Sequence, residues 1–212
     1  MNDDVMVCSR CTAPQTDTVC NECGGIEFEP DVYRQGMSPY HIQTFTGRLI
    51  DLRHVTPDDI SIKDIAHSLG CINRFNGHTL VPISVAQHSV RVSEIVKPEH
   101  ALWGLLHDAS EAYLGDVSRP LKHLLPKYKQ LETLCTYAIA RHFGLTVPIP
   151  HDVKLADQSV LMAEKRDLMV VDRDWGFRVP VDQQLVEPVI PSQATEMFMK
   201  RFNELTEGGD DE

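Results

Sequence analysis

A mainly α-helical body with one short β-hairpin and a small N-terminal four-cysteine zinc ribbon is the fold this sequence predicts, and three observations predict it. Apolar residues recur at three- and four-residue spacing through most of the chain after position 58. Period-two alternation is confined to one stretch, 42–52. Four cysteines, Cys8, Cys11, Cys20 and Cys23, form two Cys-x-x-Cys pairs near the start.

The cysteine pairs come first. Each supplies two thiolates from one tight turn, Gly24 lets the backbone fold back, and together they complete a tetrahedral four-thiolate zinc site. Disulfides are the alternative use of the same thiols. The N-terminus, Met1-Asn2-Asp3-Asp4, has no apolar signal segment, which points to a cytoplasmic, reducing compartment and so to zinc. Four protein ligands close the coordination sphere, so this zinc is expected to be structural. Residues 1–36 are read as ribbon and linker, 37–206 as the main domain, and 207–212 as an acidic disordered tail.

Composition bounds the function. The chain has 212 residues, 42% hydrophobic and 24% charged, which suits a soluble globular protein, and no apolar run reaches the roughly 18 residues of a membrane span. Its net charge of −11 is concentrated at the two ends: residues 1–36 carry seven acids against two bases, and 203–212 carry five acids and no base. Acidic termini argue against a surface that tracks nucleic-acid phosphates, including one on the ribbon.

The hairpin is predicted about Thr46-Gly47, within Ile42-Gln-Thr-Phe-Thr-Gly47-Arg-Leu-Ile-Asp-Leu52. Helices follow. Asp58-Asp59 are expected to cap a helix over 58–69 with Gly70 as its stop, and a second spans 84–97 and ends at Pro98. The most apolar helix is predicted over 99–114, with Gly115 as terminator. Further helices are predicted over 126–143, 152–171 and 192–205.

Chemistry concentrates on these helices. His107-Asp108 places two hard metal-binding side chains together on the apolar helix, His88 lies on the preceding one, and Asp157 opens a run of core residues on a later one. Alone, each is better read as a satisfied histidine or a surface acid. Together, two imidazoles and two carboxylates suit a divalent first-row cation and leave coordination positions open. A second His-Asp pair, His151-Asp152, follows Pro148-Ile-Pro150, and Asp152 is placed to begin the next helix, so it is read as structural. Glu111 lies one turn beyond His107 on the same predicted face, Asp116 just past the helix end. Arg74-Phe75 pairs a phosphate-gripping guanidinium with a ring able to stack on a sugar or base.

The order His88, His107-Asp108, Asp157 resembles the H…HD…D motif of the HD-domain phosphohydrolase superfamily, which implies a helical bundle around one catalytic divalent cation (Mn, Co, Zn or Mg). The run His107-Asp-Ala-Ser-Glu111-Ala-Tyr-Leu-Gly-Asp116-Val-Ser-Arg-Pro-Leu-Lys122 closely resembles the 5′-deoxynucleotidases and phage dATP triphosphohydrolases of that superfamily. By that resemblance Glu111 and Asp116 are the essential acids that are not ligands, Lys122 lies near phosphate, and Arg74-Phe75 occupies the place of an Arg-Trp pair. The resemblance covers about residues 42–171 and implies a deoxynucleotide substrate and a homo-oligomer. The GD…PxK correspondence favours a deoxynucleoside monophosphatase, with triphosphate hydrolysis as the alternative. Two readings of other classes are a zinc-ribbon adaptor with a non-catalytic HD domain and a ribbon-guided nuclease. The intact metal and acid set counts against the first, the acidic N-terminus against the second.

Overall fold

The computed structural model describes residues 38–207. Cys8, Cys11, Cys20 and Cys23, with the zinc expectation, lie outside the described residues, as does the acidic tail from 208 onward. Among the described residues the fold is mainly helical with one two-stranded hairpin, and no helix is long and apolar enough to cross a membrane.

Strand β1 (His41–Gln43) pairs with β2 (Leu49–Asp51) across a turn in which Gly47 takes φ 86°, a conformation that favours glycine. The turn is fixed from below. Asp64, 2% exposed, accepts from the Thr46 backbone N–H at 2.7 Å and its hydroxyl at 2.9 Å. Asp64 belongs to α1 (Ile62–Cys71), so this buried carboxylate joins hairpin to helix.

Helix α1 begins later than the acidic pair suggested. Pro57–Asp59 instead form a separate 3₁₀ turn in which Asp59 accepts from the Thr56 N–H at 2.8 Å and hydroxyl at 2.7 Å. Nor does Gly70 stop the helix. It lies inside α1 where α8 (Pro191–Glu207) crosses, and a Cβ there would stand 2.2 Å from Thr195 Oγ1. This glycine is required by close helix approach, not by termination.

Helix α2 (Val85–Ile95) is capped by Ser84 Oγ, which accepts from the Gln87 N–H. The single helix expected over 99–114 is broken in two: α3 (Ala101–Leu106) and α4 (Glu111–Leu114) flank a turn at 107–110. The turn winds tightly, with Ala109, Glu111 and Ala112 N–H groups donating to the carbonyls three residues back. His107 and Asp108 thus sit on a turn between helices, with α4 ending at Gly115, φ 80°. A short helix not foreseen, α5 (Arg119–Leu124), carries Pro120 in its first turn. Helices α6 (Pro126–His142) and α7 (His151–Leu168) fall within three residues of expectation.

Helix α2 is the hub, packed against α1, α3, α7 and α8. Ile65, Leu69, Leu105, Leu106, Ile139 and Phe198 fill the principal core at 1% exposure or less; each contributes about 1.5–3 kcal/mol of transfer free energy. Gly104 allows α3 to close on α2, since a Cβ there would lie 2.8 Å from the Ser93 Cα. That approach brings the turn after α3 against the inner face of α2.

Candidate metal centre

His88 projects from α2 into the interior at 1% exposure, and its Nδ1 lies 2.8 Å from Oε1 of Glu164 on α7. His107 Nδ1 lies 2.8 Å from the Gly104 carbonyl, which can only accept, so Nδ1 carries the proton. With both Nδ1 atoms donating, each ring turns its Nε2 inward, and that atom offers a lone pair whenever the ring is neutral. Both Nε2 atoms are buried and have no hydrogen-bond partner. Donor atoms of His88, His107 and Asp108 all lie within 4.8 Å of one another. Asp157 Oδ1 stands 3.2 Å from His88 Nε2 and 4.0 Å from His107 Nε2, and Asp108 Oδ2 stands 3.1 Å from His107 Nε2. Two orphaned imidazole nitrogens facing two carboxylates fit a divalent cation, and the outward bonds of each ring are those that orient metal-binding histidines. The four predicted ligands are brought together. Asp108 and Asp157 keep 24% and 27% of their side chains accessible, so the cluster opens on one side.

Each of these groups lies within reach of its neighbours' charges. Burial opposes protonation of His107, but Asp108 and then Asp157 outweigh it and raise its pKa to about 9. Burial and Arg74 likewise oppose a charge on His88, yet Glu164 and Asp157 push its pKa up. Burial would raise Asp108, but His107, His88 and Arg74 hold it below the usual carboxylate range. Glu164 is fully buried and is also held low, because Arg74 donates to it at 2.9 Å and His88 lies on its other oxygen.

Glu111 behaves oppositely. Burial, reinforced by Asp108 and Asp116, pushes its carboxyl well above the ordinary range, and its Oε2 has no hydrogen-bond partner. Asp116 is also raised, first by burial and then by Asp108, although Arg74 opposes this. Lys122 lies 3.4 Å from Glu111 but donates at 2.6 Å to Glu132, so its ammonium is largely committed to carboxylates.

These acids open into a cleft of about 670 Å³ shared by Asp108, Asp157, Glu111 and Asp116. Arg74, Lys122 and Arg119 supply its positive charge, and Phe75, Trp175 and Phe177 its aromatic surface. Phe75 and Asn76 hold φ of 57° and 51°, left-handed values that Asn tolerates but that cost Phe about 1–2 kcal/mol. That strain sits where the Phe75 ring enters the cleft. Strained backbone of this kind tends to persist at functional sites.

Against known proteins, the chain is 42% identical over 170 residues to the uncharacterized protein YfdR of Escherichia coli strain K12, covering 78% of this chain and 96% of that protein. The chain belongs to the YfdR family. A second relative, the uncharacterized protein RCAP_rcc00048 of Rhodobacter capsulatus, is 40% identical over 121 residues, 52% of this chain and 62% of that protein. No family model matches the chain.

Several residues of this YfdR-family site were not singled out from sequence. Glu164 lies seven positions after Asp157 on α7, two turns along the same face, and that spacing was the available signal. Arg119, Trp175 and Phe177 had no comparable signal. Trp175 comes from the connection after α7 to within 6.1 Å of the Phe75 ring, centroid to centroid, so an indole is present although Phe75 itself is not Trp. His151 is exposed, and Asp152 lies 2.8 Å from His100 Nδ1, while the residue at the N-cap of α7 is Pro150 and not Asp152. His67 stacks on Phe45 at 3.8 Å, in a cleft that does not include the candidate metal ligands.

Proposed function

We propose that this chain is a divalent-cation-dependent phosphohydrolase of small deoxynucleotides, a member of the HD-domain superfamily that its motif resembles. The observation that carries the reading is the pair of inward, partnerless Nε2 atoms on His88 and His107, set against Asp108 and Asp157 at the end of a cationic and aromatic cleft. His88, His107, Asp108 and Asp157 would hold the cation. A cation there supplies Lewis-acid polarisation of a phosphoryl oxygen and acidifies water.

The chain's own groups divide the remaining work. Arg74, clamped between Glu164 at 2.9 Å and Asp108 at 3.6 Å, is held in place with guanidinium N–H groups left to grip a phosphate oxygen. Glu111 is the group to receive a proton at Oε2 from the attacking water, because its raised pKa brings proton exchange closer to neutral pH. Asp116 is the second raised acid and can return a proton to the leaving group. The deoxynucleotide class follows from the resemblance of the 107–122 run, which also favours monophosphates. One observation favours triphosphates: Arg119 in the cleft stacks on Phe177 at 5.2 Å and has no carboxylate partner among the described residues, leaving its charge for additional phosphates. The test is release of phosphate or polyphosphate by the full-length protein from a panel of dNMPs and dNTPs, with Mn²⁺, Co²⁺, Mg²⁺ or Zn²⁺ supplied in turn. Inactivity on every combination would end the proposal.

A further inference from the structure

The chain between α7 and α8 forms no helix or strand, and long connections of that kind are usually either disordered or functional. This one is strapped down. Asp182 takes a bidentate grip from Arg91 at 2.6 and 2.8 Å, Arg166 donates to the Asp182 carbonyl at 2.9 Å, and the Val186 N–H donates to Asp167 at 2.9 Å. Nearer the cleft, Lys165 is 5% exposed; it pairs with Asp172 and lies 5.6 Å from the centre of the Trp175 ring. Gly176 takes φ 78° between two aromatic residues, a reversal other residues resist, and its N–H donates to Asp174 at 2.7 Å. The outcome is that Trp175 and Phe177 line the same cleft as Asp108 and Glu111.

Their arrangement restricts what they can hold. Trp175 and Phe75 stand 6.1 Å apart with planes tilted by 48°, too close and too oblique to sandwich a ring at two van der Waals separations. They form a corner instead. A flat heteroaromatic ring can lie on one face and meet the other edge-on, both favourable aromatic geometries. Trp175 keeps 39% of its surface exposed, a large apolar area that a folded chain tends to cover. Ser118 and Asn76 are the uncharged polar side chains in this lining, so aromatic area dominates what the wall offers to a base.

We infer that Trp175 and Phe177, presented by the α7–α8 connection, form a nucleobase subsite with Phe75, and that it prefers purines because stacking grows with ring area. The inference rests on the phosphohydrolase reading for the identity of the ligand and adds the residues that select its base. Base–aromatic contacts of this type change affinity by about 10-fold per ring removed.

The test uses the full-length protein and two readouts. Of the chain's two tryptophans, Trp103 is 3% exposed and donates to the Thr146 carbonyl, so emission changes on adding a ligand to the cleft report Trp175. Titration with deoxyadenosine, which has no phosphate to release, should quench that emission saturably and more tightly than thymidine does. Trp175→Phe should abolish the quench, and Phe177→Ala should weaken binding. In turnover, Trp175→Ala should raise KM for the best purine substrate about 10-fold while kcat changes less than about twofold. Hydrolysis by wild type with no quench, or with KM unchanged in Trp175→Ala, would overturn the subsite and leave the phosphohydrolase reading intact. A fall in kcat alone would also overturn it, since the loop would then act by shaping the acid site. A Phe177-dependent quench in a protein that hydrolyses no nucleotide would uphold the subsite and refute the phosphohydrolase reading.

Discussion

Replacing Glu164 by Gln tests whether the candidate metal centre depends on its buried support. Glu164 has 0% exposure and serves two donors at once, His88 Nδ1 at 2.8 Å and Arg74 Nε at 2.9 Å. Gln keeps the volume but offers one acceptor oxygen, and its amide group faces the second donor without accepting from it. One charge-assisted bond is therefore lost, typically about 1.5–3 kcal/mol, and the buried Arg74 loses its nearest counter-charge. Asp108, 3.6 Å from Arg74, is the remaining partner. Arg74 then competes with the cation for an Asp108 oxygen, so a change on α7 is felt on the turn after α3.

Two numbers follow. Loss of a carboxylate behind a ligating histidine commonly weakens metal binding 10–100-fold, and that range is expected for Mn²⁺ measured by calorimetric titration of Glu164→Gln. Stability in urea without added cation should fall by about 3 kcal/mol, a sizeable part of the 5–15 kcal/mol that holds most domains. Wild-type Mn²⁺ affinity in a folded Glu164→Gln protein would refute the claim that this carboxylate fixes the His88 ring. Weakened binding with unchanged urea stability would refute the energetic argument about Arg74.

Glu111→Gln should reduce kcat by at least about 100-fold while Mn²⁺ binding survives. Without added cation it should also stabilise the fold above about pH 4.5, increasingly as pH rises: the folded state holds the Glu111 proton that the unfolded chain releases, so wild-type stability falls with pH across that window, and Gln removes the fall. Metal content measured after gel filtration should collapse in Asp157→Ala and persist in Asp152→Ala; the reverse result would assign the site to the second His-Asp pair. Because His107 is raised to about 9, Mn²⁺ binding at pH 7 should expel about one proton or more, read from titrations in buffers of differing ionisation heat, and zero release would contradict the protonated His107 derived from its neighbours.

What was legible from sequence follows the physics of each signal. Helices α2, α6, α7 and α8 were found because their buried positions repeat at helical spacing, and the four candidate ligands because hard donors on successive helices are a rare arrangement. The break at 107–110 was not, since a tight turn keeps apolar residues at three-residue spacing and looks periodic across the join. Gly70 reads as a stop by propensity, whereas its real constraint is a helix far along the chain. Glu164 looks like a solvated acid beside Lys165, and only the fold reveals two buried cationic partners. Trp175 and Phe177 occupy a connection with no periodicity, so nothing local assigns them to a cleft.

Five carboxyl groups, those of Asp108, Glu111, Asp116, Asp157 and Glu164, act on one another around Arg74, with Lys122 at the rim. Ionising all of them leaves an excess of negative charge in a poorly solvated region, which folding alone does not favour. Protons relieve it in part, on His107 and Glu111, and the raised pKa values of both express that relief. On the proposed reading a divalent cation would relieve it differently, held by the two Nε2 atoms and the Asp108 and Asp157 oxygens, with Glu111 and Asp116 left free to exchange protons. On that reading the same groups would both favour cation binding and supply the proposed acid–base chemistry, and neither role would be served by an apolar replacement that packed better. Excess cation at 100 times its Kd would return about 2.7 kcal/mol to the folded state, comparable to the loss of one buried ion pair. A cluster so costly as an interior, with donor atoms of His88, His107 and Asp108 within 4.8 Å of one another, is what the proposed cation site would require.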